Sequence, residues 1–250
     1  MPTAPASPAE QLPARTAAVW AALDPVVSAG PPLRVLDVGG GSGMFAVPLA
    51  RLGHDVTVVD PSADALATLR RRADTAGVGA LVHGLQGDGD LLHEVLPAAG
   101  GDGSDAAYDL ALCHYVLEVV DDPAVTLGEI SRALRPGGQV SVATVNRAGA
   151  VLGRAVAGHP VEALALLEDR DPASARSKPV RRFSPDDMLA LVVGAGLRPG
   201  PWRGVSVVAD LLEATSGAEP GAVRALELAL AEQSPFRDIA TGLHVLASRP

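Results

Sequence analysis

The chain has 250 residues, of which 48% are apolar and 20% charged, and this composition is typical of a globular α/β domain rather than a disordered segment. A single cysteine, Cys113, excludes an internal disulfide and a cysteine-rich metal site. The formal net charge of −9 argues against the basic surface with which proteins usually bind nucleic acid. No apolar run of transmembrane length and no signal-peptide pattern is present, so we expect a cytoplasmic protein.

The first part of the chain alternates predicted helices and strands. Residues 1–12 are rich in proline and alanine and are expected to be frayed. The strands are predicted over residues 33–38, 55–60, 81–86, 108–113 and 139–145, and the helices over 11–27, 45–52, 62–76, 90–96 and 123–134. Strands that alternate with helices at this spacing indicate right-handed βαβ units and a parallel sheet. We find no internal repeat and interpret residues 1–250 as one domain.

The alternation is interrupted after Asn146. Two helices are predicted over 148–157 and 161–168, followed by a polar segment. Ser184 then has the pattern of a helix N-cap, with proline at the next position and two acids in the first turn. A strand over 204–208, a helix over 219–232 and a strand over 243–248 complete the chain. We predict that the insert at 147–183 recognises the substrate, because loops on a fixed scaffold commonly carry function.

The strongest motif is the glycine loop that follows the first strand. It comprises Asp37, Gly39, Gly40, Gly41, Ser42 and Gly43. Glycines allow a close approach of the backbone to a ligand, and the N-terminus of the following helix offers free N–H groups. A dinucleotide-binding G-x-G-x-x-G pattern would need glycine at Met44, so a nicotinamide dehydrogenase is a poor alternative. The other alternative to a ligand-binding loop is a tight strand-to-helix turn that binds nothing.

Acidic residues end the second and third predicted strands. Asp60 lies 17 residues after Gly43, and a carboxylate at this position can accept hydrogen bonds from ribose hydroxyls. The adjacent Pro61 and Ser62 are predicted to start the next helix and to flank an adenine. Asp88 and Gly89 follow the third strand, where ordinary turn chemistry is an equally good explanation.

The end of the fourth strand carries the candidate catalytic residues His114 and Tyr115. Three roles are open for His114: a catalytic base, an anchor for the backbone, or a buried polar side chain whose hydrogen bonds are satisfied. Cys113 is interpreted as a small apolar residue of the sheet. The acids Glu118, Asp121 and Asp122 follow, but helix starts and turns have the same composition, and we predict no metal site.

The segment Val35–Gly43 resembles motif I of the class I S-adenosylmethionine (SAM)-dependent methyltransferases. The resemblance implies a Rossmann-like fold: a seven-stranded, mostly parallel sheet with an antiparallel C-terminal strand and a helical insert after the fifth strand. It implies SAM as the cofactor, with its methionine part at the glycine loop and its amino group near Asp37. Asp60 then faces the ribose, and Asp88 with Gly89 the adenine.

A narrower resemblance extends along most of the chain and includes the segments 114–123, 134–138, 146–158, 204–211 and 226–250. These segments are similar to the SmtA-like family, which includes tRNA 5-carboxymethoxyuridine methyltransferase. The resemblance implies methyl transfer to a carboxylate on a wobble uridine of tRNA. The acidic charge favours instead a small-molecule O- or N-methyltransferase, and a non-catalytic SAM-binding module is a third hypothesis. Arg181 and Arg203 are candidates to orient an anionic acceptor.

Overall fold

The computed structural model describes residues 13–96, 108–168, 180–212 and 217–250, which form a seven-stranded sheet. Its strands are β1 (Arg34–Val38), β2 (Asp55–Asp60), β3 (Val82–Gln86), β4 (Tyr108–His114), β5 (Leu134–Val145), β6 (Arg198–Val205) and β7 (Gly242–Ser248). Their spatial order is β3-β2-β1-β4-β5-β7-β6. The pairs among β1 to β5 are parallel, whereas β7 runs antiparallel to both β5 and β6. The predicted fold class is therefore confirmed.

The helices cover both faces of the sheet. They are α1 (Ala17–Val27), α2 (Ala46–Arg51), α3 (Ala63–Thr75), α4 (Leu92–Val95), α5 (Pro123–Ala133), α6 (Arg147–Val156), α7 (Pro160–Leu167), α8 (Pro185–Gly194) and α9 (Pro220–Leu230). Trp20 of α1 and Leu69 of α3 belong to the apolar core on one face, and Ile130 of α5 and Met188 of α8 to the core on the other. Both faces of the parallel strands are thus buried, as such sheets require.

The helical insert after β5 is present as α6 and α7, which pack against each other. Residues 169–179 of the predicted recognition insert and the predicted frayed residues 1–12 lie outside the described residues. Within the described ranges, no helix is both long and apolar enough to cross a membrane.

Two strands begin more than one residue before their predicted starts. The strand predicted over 204–208 is β6, which begins six residues earlier at Arg198 and includes Pro199 and Pro201. These prolines are tolerated because β6 is an edge strand whose register with β7 shifts between Pro199 and Trp202. The strand predicted over 139–145 is β5, which begins five residues earlier at Leu134, and an irregularity in its pairing with β4 accommodates the two glycines before residue 139.

Candidate cofactor and acceptor site

The glycine loop connects β1 to α2 at the carboxyl edge of the sheet. Gly43 has a φ of +80°, and a Cβ atom at this position would lie 2.3 Å from Cδ1 of Leu69. A Cβ at Gly40 would lie 2.4 Å from Oδ2 of Asp37. Any larger residue at these two positions would displace the loop from the strand or from the helix α3 behind it.

Asp60 at the end of β2 holds the glycine loop in place. Its Oδ2 accepts a hydrogen bond from the backbone N–H of Gly41 at 2.9 Å, and its Oδ1 accepts from the N–H of Ser62 at 2.8 Å. Ser62 is the N-cap of α3, since its Oγ accepts from the N–H of Ala65 at 3.2 Å. Asp60 is therefore no helix cap itself, and each of its oxygens retains a lone pair for a further donor.

Asp37 lies beneath the loop and is only 3% exposed. Its Oδ2 has no hydrogen-bond partner among the described residues. Burial, and to a smaller extent the negative charge of Asp60, raises the pKa of this carboxyl to about 7. A buried carboxylate oxygen without a donor is costly for the free protein, and a cationic ligand would relieve that cost.

Two cavities open at this edge of the sheet. The smaller, of about 270 Å³, is lined by Asp60, Pro61, Asp88, Gly89 and Val116 among others. The larger, of about 530 Å³, is lined by Asp37, Gly40, Ser42, Met44 and His114 among others. Gly39 and Tyr115 line both cavities, so the two are adjacent. An elongated ligand can therefore extend from Asp88 past Asp60 to Asp37.

Asp88 and Gly89 lie at the far end of the smaller cavity. The Asp88 side chain accepts a hydrogen bond from the N–H of Asp90 at 3.2 Å and caps a short 3₁₀ helix. Gly89 is buried, and a Cβ there would lie 3.2 Å from both Thr126 and Val38. The turn chemistry expected from the sequence is present, and the same residues also line the cavity.

His114 forms part of the wall of the larger cavity and belongs to a buried polar chain. Its Nε2 lies 2.8 Å from Oγ of Ser141, and the same hydroxyl lies 2.8 Å from Nε2 of His244. The ring of Phe45 contacts the His114 imidazole edge-on, with centroids 4.5 Å apart. Burial lowers the pKa of His114 to about 3, so the imidazole is neutral at neutral pH and is a weak base.

Tyr115 has an unusual backbone conformation with a φ of +58°. Its N–H donates to the carbonyl oxygen of Ala143 at 2.8 Å, and 45% of the residue is exposed. This conformation directs the chain out of β4, and the residue lines both cavities. Its predicted role in catalysis stays a prediction.

The far wall of the larger cavity consists of residues that were not among the site residues predicted from the sequence. They are Arg15, Thr16, Ser206, Asp210 and Thr241. They come from the segment before α1, the segment after β6 and the residue before β7. No motif joins positions so far apart in the chain. The antiparallel pairing of β7 with β5 and β6, together with the packing of α9 against the segment before α1, brings them to one cavity.

The two arginines predicted to orient an acceptor are engaged elsewhere. The Arg181 guanidinium donates to the carbonyl oxygen of Asp121 at 2.8 Å, and that of Arg203 donates to Glu232 at 2.9 Å. Neither lines one of the two cavities. Both guanidinium groups are thus held by these contacts, and their role in orienting an acceptor stays a prediction.

The acids after β4 have structural partners. The buried Glu118 accepts from the N–H of Val145, and Asp122 caps α5 by accepting from the N–H of Ala124 at 2.8 Å. In the part of the chain that is described, no three His, Cys, Asp or Glu residues form a group that could hold a metal ion.

Comparison with known proteins establishes the family. A family model described as a methyltransferase domain matches residues 9–198. The chain is a member of this methyltransferase family. Its cofactor is SAM, and the enzyme is a SAM-dependent methyltransferase that acts on a methyl acceptor.

Individual relatives cover different parts of the methyltransferase. It is 31% identical over 94% of its length to the tRNA 5-carboxymethoxyuridine methyltransferase of Escherichia coli (strain K12), of which it covers 88%. It is 36% identical over 46% of its length to a ubiquinone biosynthesis O-methyltransferase of Methylocella silvestris, of which it covers 41%.

A solved structure shows the same fold. Geranyl diphosphate C-methyltransferase from Streptomyces coelicolor A3(2), in complex with S-adenosyl-L-homocysteine, aligns with a TM-score of 0.58 at 18% identity. The alignment covers 92% of this chain and 78% of that one. The fold is thus common to enzymes with different acceptors.

Proposed function

We propose that the enzyme transfers a methyl group from SAM to a carboxylate or similar oxygen or nitrogen nucleophile, and that this acceptor is a modified wobble uridine of tRNA. The observation that carries the proposal is the similarity over 94% of the chain to an enzyme whose name states that substrate. The ubiquinone biosynthesis O-methyltransferase matches less than half of the chain.

The geometry of the site fits the cofactor. The unpartnered Oδ2 of Asp37 suits the ammonium group of SAM, and the free lone pairs of Asp60 suit the two ribose hydroxyls. Asp88 at the end of the smaller cavity suits the amino group of adenine. The complete proposed set is Asp37, Gly39, Gly40, Gly41, Ser42, Gly43, Asp60, Pro61, Ser62, Asp88, Gly89 and His114.

The bound cofactor supplies a methyl group on a sulfonium, which is already activated for displacement. The protein therefore mainly has to hold the nucleophile in line and exclude water. His114 and Tyr115 lie where the larger cavity meets the glycine loop, and we propose that they position the acceptor. A carboxylate needs no proton removed before it attacks, which agrees with the neutral, weakly basic His114.

A small-molecule acceptor is the second candidate. The net charge of −9 is unfavourable for binding RNA phosphates, and the larger cavity of about 530 Å³ has the size of a small-molecule pocket. For tRNA to bind, contacts from the insert at 147–183 would have to compensate for the overall charge. A non-catalytic SAM-binding module is the third hypothesis and predicts cofactor binding without any transfer.

The test is transfer of a radiolabelled methyl group from SAM, using extract from the host strain that lacks the gene. RNA and small metabolites are separated and then treated with mild alkali, which releases label from methyl esters but not from ethers or amines. We expect alkali-labile label in the RNA fraction, and its absence with the variant Asp60→Ala. Label only among small metabolites would contradict the tRNA proposal, and bound SAM without any transfer would support the third hypothesis.

A further inference from the structure

Three buried polar side chains on neighbouring strands form a chain that ends at the larger cavity. They are His114 of β4, Ser141 of β5 and His244 of β7, and the serine Oγ lies 2.8 Å from Nε2 of each histidine. Ser141 and His244 are fully buried, whereas His114 lines the cavity. Apolar residues of the same shape would cost the sheet little stability, so the fold by itself does not require this chain.

The serine hydroxyl gives the two histidines different tautomers. Burial lowers the pKa of His114 to about 3. Burial, and to a smaller extent the charges of His114 and Arg203, lowers the pKa of His244 well below its usual range. Both imidazoles are therefore neutral at neutral pH, and each carries one proton. Because a hydroxyl has a single hydrogen, Ser141 donates to one Nε2 and accepts from the other, so one ring is protonated at Nε2 and the other at Nδ1.

Arg203 sets the direction of this chain. It lies directly opposite His244 in the antiparallel pairing of β6 with β7, and residues in this relation have Cβ atoms about 5 Å apart on the same face of the sheet. Nε of Arg203 and Nδ1 of His244 are both buried, and neither has a hydrogen-bond partner within the described residues. A guanidinium can only donate, so it favours a bare Nδ1 on His244 and places the proton of that ring on Nε2. Ser141 then accepts from His244 and donates to Nε2 of His114.

His114 is left with its proton on Nδ1. Its Nε2 is occupied by Ser141, and the ring of Phe45 contacts the imidazole edge-on with centroids 4.5 Å apart. Nδ1 has no partner among the described residues, and His114 lines the larger cavity beside Tyr115. An N–H group at this place can hold one oxygen of a carboxylate while the other oxygen attacks.

We propose that Nδ1–H of His114 donates a hydrogen bond to the methyl acceptor. Ser141, His244 and Arg203 are positioning residues that fix this tautomer. The inference rests on the proposed function and adds to it a donor that orients the acceptor without removing a proton. A carboxylate oxygen forms its bond to the methyl carbon as the bond from that carbon to sulfur breaks. The electron pair of the broken bond stays on sulfur, and His114 keeps its proton throughout.

The tautomers can be measured directly in the full chain with isotopically labelled histidine. Long-range proton–nitrogen correlation spectra distinguish a protonated ring nitrogen from a bare one, and His114→Phe and His244→Leu assign the resonances. The spectra are recorded with S-adenosylhomocysteine and without an acceptor, so they do not depend on which acceptor the enzyme uses. We expect His114 to be protonated at Nδ1 and His244 at Nε2. Protonation of His114 at Nε2 overturns the proposal.

Variants that interrupt the chain test whether the tautomer matters for transfer. Ser141→Ala and His244→Leu each remove a link, whereas His244→Gln keeps an N–H donor where Nε2 now lies. We expect Ser141→Ala and His244→Leu to populate both tautomers of His114. Their initial rate of methyl transfer to the labelled fraction of the extract should fall at least about tenfold. His244→Gln should retain the Nδ1 tautomer and most of the rate.

Thr144→Val is the matched control, because it removes another buried hydroxyl of β5, whose partner is the sulfur of Met188. This variant should leave the tautomers and the rate unchanged. Calorimetry should show S-adenosylhomocysteine affinity within about twofold in every variant, which separates a lost donor from a collapsed site. A merely structural chain would make His244→Gln as slow as His244→Leu, or leave all the rates equal. Either result overturns the proposal.

The transfer assay separates this inference from the function on which it rests. Label in RNA at a rate independent of the tautomer would refute the donor and leave tRNA methylation standing. Label confined to small metabolites, at a rate that falls when the chain is interrupted, would support the donor and contradict the tRNA proposal. The absence of label from every fraction would overturn both.

Discussion

The backbone N–H of Gly41 donates to Oδ2 of Asp60 at 2.9 Å, so the glycine loop after β1 is tied to the end of the neighbouring strand β2. The other oxygen of the same carboxylate receives the N–H of Ser62 at the start of α3. A single side chain thus fixes the two segments between which we place the ribose.

Asp60→Ala should weaken cofactor binding strongly. The substitution removes the acceptor for the ribose hydroxyls and also releases Gly41, and each hydrogen bond to a charged group contributes about 1.5–3 kcal/mol. We expect the affinity for S-adenosylhomocysteine to fall by a factor of at least about 10 in a calorimetric titration. Asp64→Ala, in the first turn of α3 at an exposed position, serves as the control and should leave the affinity unchanged.

Cofactor binding should depend on pH through Asp37. The pKa of this carboxyl is raised from 3.8 to about 7 in the free protein. Between pH 4 and 7 the folded state therefore keeps a proton on Asp37 that the unfolded state has lost. The stability of the free protein therefore falls as the pH rises from about 4 through 7. The ammonium of the cofactor needs the ionised form, so its affinity should increase over the same interval, by up to about tenfold per pH unit.

The measurement for Asp37 is the affinity for S-adenosylhomocysteine at several pH values from 5.5 to 8. In Asp37→Asn the affinity should be low and independent of pH, and the fall in free-protein stability between pH 4 and 7 should be smaller. An affinity for the unaltered protein that stays constant across this range would show that Asp37 does not bind the ammonium.

Gly43→Ala should destabilise the protein by more than the backbone conformation alone requires. A φ of +80° lowers the free energy of unfolding of an alanine variant by about 1 kcal/mol. The added Cβ would also lie 2.3 Å from Cδ1 of Leu69. Gly196→Ala is the matched control, because Gly196 has a φ of +76° and no heavy atom within 4 Å of an added Cβ. Urea denaturation should show a loss near 1 kcal/mol for Gly196→Ala and a larger loss, with weaker cofactor binding, for Gly43→Ala.

Glu227→Gln should destabilise the far wall of the larger cavity. The Glu227 carboxylate accepts hydrogen bonds from the backbone N–H groups of Val207, Val208 and Ala209. The amide group of glutamine would place its own N–H donors against at least one of these groups. We expect urea denaturation to show a stability loss of about 3 kcal/mol. The control is Glu94→Gln, whose side chain is 62% exposed. An unchanged stability of Glu227→Gln would mean that the carboxylate does not hold the segment 206–210.

The sequence predicted the parallel half of the fold well because its signals are local. The glycine loop, Asp60 and the cap at Ser62 each lie within a few residues of the strand end that positions them. The β-branched residues of β2 and the alternation of helices and strands could be recognised without information from distant residues. β6 was misplaced because its prolines indicate a loop, and only its position at the sheet edge makes them acceptable.

The sequence by itself determined the fold class and the glycine loop, because these depend on spacing along one βαβ unit, and its resemblance to a known family implied the cofactor. The tertiary structure decided which residues form the far wall of the larger cavity. Arg15, Ser206, Asp210 and Thr241 come together because β7 inserts antiparallel between β5 and β6 and brings the last third of the chain against the segment before α1. It likewise decided that the guanidinium groups of Arg181 and Arg203 bond to Asp121 and Glu232. Contacts between segments some 200 residues apart leave no periodic pattern in the sequence, so this chemistry becomes visible only when the chain is folded.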